Sequence, residues 1–139
     1  MRRSLLAELA PALARLVDAA RAVREHAYAP YSGFRVGAAI ETEGGRVFTG
    51  ANVENASYGA TVCAERAAVF GMIAAGQRSV RRVAVYAEGP ELSMPCGMCR
   101  QVLVEHGRDA EVIVAGPHGT KTTTLAVLMP EPFVFEVPR

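Results

Sequence analysis

The sequence predicts one α/β domain built in three layers, a mixed sheet of about five strands with helices over both faces. Helical and strand patterns alternate after an initial hairpin signal, which places helices between strands rather than beside a separate sheet. The runs Val83-Ala84-Val85 and Val112-Ile113-Val114 are apolar at successive positions, as strands covered on both faces must be. Length sets the number of cores: 139 residues, half of them hydrophobic, fill one, so the domain is read as spanning 1–139.

Between Leu5 and Ala27 the apolar positions recur at steps of three and four, the mark of one buried helical face. Pro11 lacks an N–H and is tolerated best in a first turn, so the firm helix starts near it and residues 1–10 form a loose arm. Tyr28-Ala-Pro-Tyr-Ser-Gly33 is turn chemistry that ends this helix. Phe34 to Glu41 and Arg46 to Val53 flank Gly44-Gly45 and read as a hairpin. Cys63 to Ala75, apolar nearly all round, is a buried helix closed by Gly76. A strand over Val80 to Ala87, a helix over Gly97 to His106 and a strand over Glu111 to Ala115 follow, with Lys121 to Thr124 as the fifth strand. The tail beyond Met129 carries Phe133 and Phe135, and so apolar an end is expected to pack on something.

Composition excludes several classes of function. Fifteen basic residues against 14 acidic ones give a charge of +1 without any block of like charges, which argues against a grip on nucleic acid. No apolar run reaches the roughly 18 residues of a membrane span and no signal-peptide pattern opens the chain, so a cytoplasmic protein without a membrane partner is expected. Three cysteines, an odd number, speak against a disulfide framework and for thiols that bind metal or do chemistry in a reducing compartment.

Those thiols lie in Cys63-Ala64-Glu65-Arg66 and Pro95-Cys96-Gly97-Met98-Cys99-Arg100-Gln101, each at or near the start of a predicted helix. Unpaired N–H groups and the positive end of the helix dipole stabilise a thiolate there. The Cys96-x-x-Cys99 spacing brings two sulfurs to one tetrahedral zinc, but alone it fits a thioredoxin-like dithiol equally well. Cys63 followed by Glu65 breaks the tie, because a redox dithiol has no use for a third sulfur beside a carboxylate. Three sulfurs leave one zinc position open, and Cys-x-Glu with Pro-Cys-x-x-Cys is the arrangement of zinc nucleobase deaminases, the glutamate moving protons. By residue type alone, Asn52 and Glu54 read as loop residues satisfying a turn, and Phe34 and Phe133 as core. His26, His106 and His118 follow no ligand spacing.

With these residues in place, the sequence resembles the small, all-cysteine-ligand cytidine deaminases over about residues 12–133. The likeness rests on Tyr28-Ala-Pro-Tyr-Ser-x-Phe34-x-Val-Gly-Ala-Ala39, Asn52-Val-Glu54-Asn55, Cys63-Ala-Glu-Arg66 and Pro95-Cys-Gly-x-Cys-Arg-Gln101 in the family's order and spacing. It implies the same three-layer fold, one zinc per subunit on Cys63, Cys96 and Cys99, and hydrolytic deamination of cytidine and 2′-deoxycytidine in pyrimidine salvage. By the same resemblance Asn52 and Glu54 hold the ribose 3′-hydroxyl, Phe34 packs beside the pyrimidine, Ala64 contacts substrate, and Glu65 carries protons between water, ring nitrogen and leaving ammonia. Arg66 is implied to donate to the zinc-bound sulfurs, offsetting part of the excess negative charge that three thiolates and a hydroxide leave around a divalent ion. Leu128-Met-Pro-Glu-Pro-Phe133 is similar to the family's C-terminal element, which implies a homotetramer in which Phe133 closes a neighbour's site; Met129 stands where the family has a second leucine. Against a nucleoside deaminase stand an aminoacyl-cytosine nucleoside deaminase of the blasticidin S type, a polynucleotide deaminase, a zinc-binding module without turnover and a dithiol oxidoreductase.

Overall fold

Pro11 opens α1 (Pro11–Val23), where its missing N–H costs no helical hydrogen bond, and the helix tightens into one 3-10 turn over Arg24–His26. The computed structural model describes residues 1–137. Its sheet holds β1 (Arg2–Ser4), β2 (Val36–Thr42), β3 (Val47–Ala51), β4 (Val80–Ala87), β5 (Glu111–Gly116) and β6 (Gly119–Thr124), in spatial order β1-β6-β5-β4-β2-β3. β4 and β5 run parallel and the remaining neighbours antiparallel. The other helices are α2 (Ala64–Ala74), α3 (Gly97–His106) and the short α4 (Leu125–Leu128).

Six strands replace the five expected, and the first ten residues are not a loose arm. β1 pairs with β6 through Arg2↔Thr122, Arg3↔Lys121 and Ser4↔Thr120, and the Ser4 and Thr120 hydroxyls lie 2.8 Å apart. A single 3-10 turn, Leu6–Glu8, joins this strand to α1. Arg-Arg-Ser has no apolar alternation, so its pairing comes from the free edge of β6 and leaves no trace in the local pattern.

Side-chain alternation divides the core between the two faces. Ala39, Ala84, Tyr86, Ile113 and Ala115 meet Leu16, Val17 and Ala20 of α1, while Ala38, Ile40, Val83, Val85, Val112 and Val114 meet α2 and α3. Continuous apolar runs in β4 and β5 are therefore two alternating faces read in one line. No helix among the described residues is long and apolar enough to cross a membrane.

Two glycines set how close the helices come to the hairpin. Gly37 on β2 and Gly50 on β3 point to opposite faces, and a Cβ at Gly37 would collide with the Ala20 carbonyl of α1. A Cβ at Gly50 would stand 2.6 Å from Ala64 O and closer still to Ala68 N, so α2 lies with its backbone directly on β3. Because neither partner is a flexible side chain, Gly50→Ala is expected to cost about 3 kcal/mol and lower Tm by roughly 10 °C in calorimetry. An unchanged Tm would mean that α2 slides along the sheet without loss.

Candidate active site

Cys63 and Cys96 are the N-cap residues of α2 and α3, both with extended backbone, and Cys99 is buried in the first turn of α3. Packing of the two helices on one sheet face brings their N-termini together, so all three sulfurs lie within 4.8 Å of one another, with Cys63 Sγ and Cys96 Sγ at 3.9 Å. Zinc–sulfur bonds of about 2.3 Å in a tetrahedron put sulfurs about 3.8 Å apart, so this donor set fits one zinc ion.

The protonation of the cluster agrees with that fit. A hydrogen bond from the Cys99 thiol, together with the Arg66 guanidinium, brings the Cys63 thiol down to about 5. The same Cys63 sulfur, with burial, pushes the Cys99 thiol up. The Cys63 proton leaves easily and the Cys99 proton is held, so ionising these neighbouring sulfurs together requires a cation among them. Arg66 donates from Nη2 to Cys63 Sγ at 3.4 Å, and its Nε is buried without a partner, a donor left over for a more anionic cluster.

Glu65 follows in the first turn of α2 and is 5% exposed; burial pushes its carboxyl above the usual range. It faces a cavity of about 230 Å³ that also takes in Phe34, Asn52, Glu54, Cys63, Ala64 and Cys96. No lysine or arginine lines that cavity among the described residues. Arg66 and Cys99 do not line it. Ser32, Thr61, Ser93 and Met94 line it without having been singled out by the sequence. Of these only Ser32 lies in a motif, Tyr28 to Phe34; the rest sit in loops with no chemical signature.

Asn52 and Glu54 are occupied with the loop before β2. Asn52 accepts from Val36 N at 2.8 Å and donates to Phe34 O at 2.8 Å. Glu54 accepts from the Ser32 hydroxyl at 2.6 Å and from the Tyr31 and Ser32 N–H groups at 2.9 and 3.1 Å. The Ser32 hydroxyl and these N–H groups hold the Glu54 carboxyl below the usual range. Backbone bonds tie the same segment to Tyr28 on one side and to Val62, the residue before Cys63, on the other. The turn reading by residue type therefore describes real contacts, and both side chains still reach the cavity.

The two phenylalanines are not core. Phe34 is 40% exposed at the cavity and Phe133 is 72% exposed, away from it in its own chain. Gln101 Nε2 donates to Phe133 O at 2.9 Å, and Arg100, one residue after Cys99, donates to Pro95 O at 2.7 Å and Leu128 O at 3.2 Å. The residues following the last cysteine thus hold both the loop before Cys96 and the start of the tail.

Comparison with known proteins agrees with this geometry. Residues 12–116 match the family described as the cytidine and deoxycytidylate deaminase zinc-binding region. A cytidine deaminase of Halalkalibacterium halodurans is 44% identical over 123 residues, covering 87% of this chain and 93% of the relative. The cytidine deaminase of Mycobacterium tuberculosis (strain H37Rv) is 45% identical over 107 residues, 77% of this chain and 78% of the relative. Among solved structures, a cytidine deaminase from Burkholderia pseudomallei superposes with a TM-score of 0.82 at 48% identity, covering 86% of this chain and 97% of that one. The matched residues include the three clustered sulfurs and the buried carboxyl beside them, and the chain belongs to the zinc-binding cytidine and deoxycytidylate deaminase family.

Proposed function

We propose that the protein deaminates cytidine and 2′-deoxycytidine to the corresponding uridines and ammonia, in cytoplasmic pyrimidine salvage. The observation that carries this reading is the buried Glu65 carboxyl, raised above its usual range, beside three clustered sulfurs at a cavity with no cationic lining. Cys63, Cys96 and Cys99 hold zinc, which when bound supplies the Lewis acidity that makes a water nucleophilic near neutral pH. Glu65 takes a proton from that water and delivers it to ring nitrogen 3, then takes the second proton from the hydroxyl added at ring carbon 4 and passes it to the amino group, which departs as ammonia. Burial suits it to both directions of transfer by moving its carboxyl toward the working pH. Arg66 stays ionised against Cys63 and holds that sulfur in its anionic form.

Recognition falls to the groups around the cavity. Ala64 begins α2, so its N–H has no acceptor within the helix and binds the pyrimidine carbonyl. Phe34 packs beside the ring, and Asn52 with Glu54 receives the ribose 3′-hydroxyl. The Glu54 carboxylate and the thiolate cluster repel a phosphate that no lining cation offsets, which selects a nucleoside over a nucleotide. The exposed Phe133, Val134 and Phe135 support a homotetramer in which Phe133 of one subunit covers the cavity of the next.

Followed by ultraviolet absorbance, cytidine and 2′-deoxycytidine are expected to turn over, and cytidine 5′-monophosphate about a hundredfold less efficiently. Activity on single-stranded polynucleotide with none on free cytidine sinks the reading. Glu65→Ala is expected to keep close to one zinc per chain and to lose turnover by about four orders of magnitude or more, whereas Arg66→Gln weakens turnover and zinc affinity with the fold intact. Surviving turnover in the first variant removes Glu65 as the proton carrier. Ending the chain at Pro132 is expected to raise KM at unchanged zinc content, and a truncated chain with unchanged KM rejects the role given to Phe133.

A further inference from the structure

Ser32 is joined to two of the residues that line the cavity, and neither its type nor its spacing gave it a role. Its hydroxyl donates to Glu54 Oε2 at 2.6 Å and accepts the Phe34 N–H at 3.0 Å, so the chain Phe34 N–H, Ser32 O–H, Glu54 carboxylate has one direction. Oε1 of Glu54 is held independently by the Tyr31 and Ser32 N–H groups, whereas Ser32 Oγ is the hydrogen-bond partner of Oε2 among the described residues. A carboxylate anchored at one oxygen can still turn about its last bond; a second donor on the other oxygen stops it. Phe34 does not depend on Ser32 in the same way, because Asn52 holds its carbonyl and the next strand's Val36 N–H.

We propose that Ser32 is a positioning residue that makes the site selective for a nucleoside with a 3′-hydroxyl, by fixing the plane of the Glu54 carboxylate. The inference rests on the reading that Glu54 receives that hydroxyl. An ionised carboxylate can only accept, so a sugar hydroxyl meets a lone pair held in a set direction. A sugar lacking the hydroxyl leaves that lone pair facing the ligand without a partner, and such a mismatch is rejected more strongly than a lost apolar contact. Ser32 is exposed, so removing its oxygen opens no cavity in the core and the extra methyl of threonine has room.

2′-Deoxycytidine and 2′,3′-dideoxycytidine differ only in the 3′-hydroxyl, and kcat and KM for both are to be measured with the zinc-loaded wild type, Ser32→Ala, Ser32→Thr and Glu54→Gln. Ser32→Ala is expected to raise KM for 2′-deoxycytidine about tenfold, to leave kcat within about twofold, and to leave KM for the dideoxy compound unchanged or lower, with Ser32→Thr restoring the wild-type ratio. Equal losses on the two substrates, or a threonine variant as impaired as the alanine one, overturn the proposal by reducing Ser32 to a loop fastener. If Glu54→Gln abolishes discrimination and Ser32→Ala keeps it, the role of Glu54 stands and that of Ser32 falls. If wild type and Glu54→Gln both treat the two substrates alike, the ribose reading fails and takes the proposal with it.

Discussion

The direct seating of α2 on β3 at Gly50 is the contact from which the site is built. With no side chain between them, helix and strand are fixed to within the tolerance of backbone packing, and the turn fixed this way carries Cys63, Glu65 and Arg66. A side chain at that position would lift the sulfur away from Cys96 and Cys99, which belong to another helix and cannot follow it. Zinc coordination needs sulfur positions good to a few tenths of an ångström, so the precision of the metal centre is inherited from a glycine that touches neither metal nor substrate.

The same face also sets two neighbouring groups on one helix turn toward opposite protonation states. Cys63 is stabilised as a thiolate by the hydrogen bond from the Cys99 thiol and then by Arg66, while Glu65 is desolvated and pushed toward its neutral form. Neighbouring residues are thus driven in opposite senses by different causes, hydrogen bonding for the sulfur and burial for the carboxyl. Such a separation of protonation behaviour is what acid–base chemistry near neutral pH requires.

Much of this was legible before any coordinates. The helix over Gly97 to His106 and the strand over Val80 to Ala87 have the bounds that their periodicity and terminal glycine predicted, and the three cysteines converge as their spacing required. What escaped is physical in kind. β1 is a three-residue polar strand whose only reason to form is a partner far away in the chain, and local patterns cannot register such a reason. Ser32 was hidden because a serine in a turn is the ordinary expectation, and its contact with Glu54 joins residues 22 apart. Phe34 and Phe133 depart from the composition-based expectation because one stands at a cavity mouth and the other near the chain end, where core packing does not reach.

β1 has one more consequence. It lies on the outer edge of the sheet, at the opposite end from the hairpin that supports α2, and it occupies hydrogen-bonding groups of β6 that would otherwise be free. A chain trimmed back to α1 would keep every residue of the site and yet present an unpaired strand rich in threonine to other molecules. Its loss would therefore appear first as aggregation during preparation, with the chemistry of each surviving molecule untouched, and the three residues that look least important in the sequence act as the guard of an open edge.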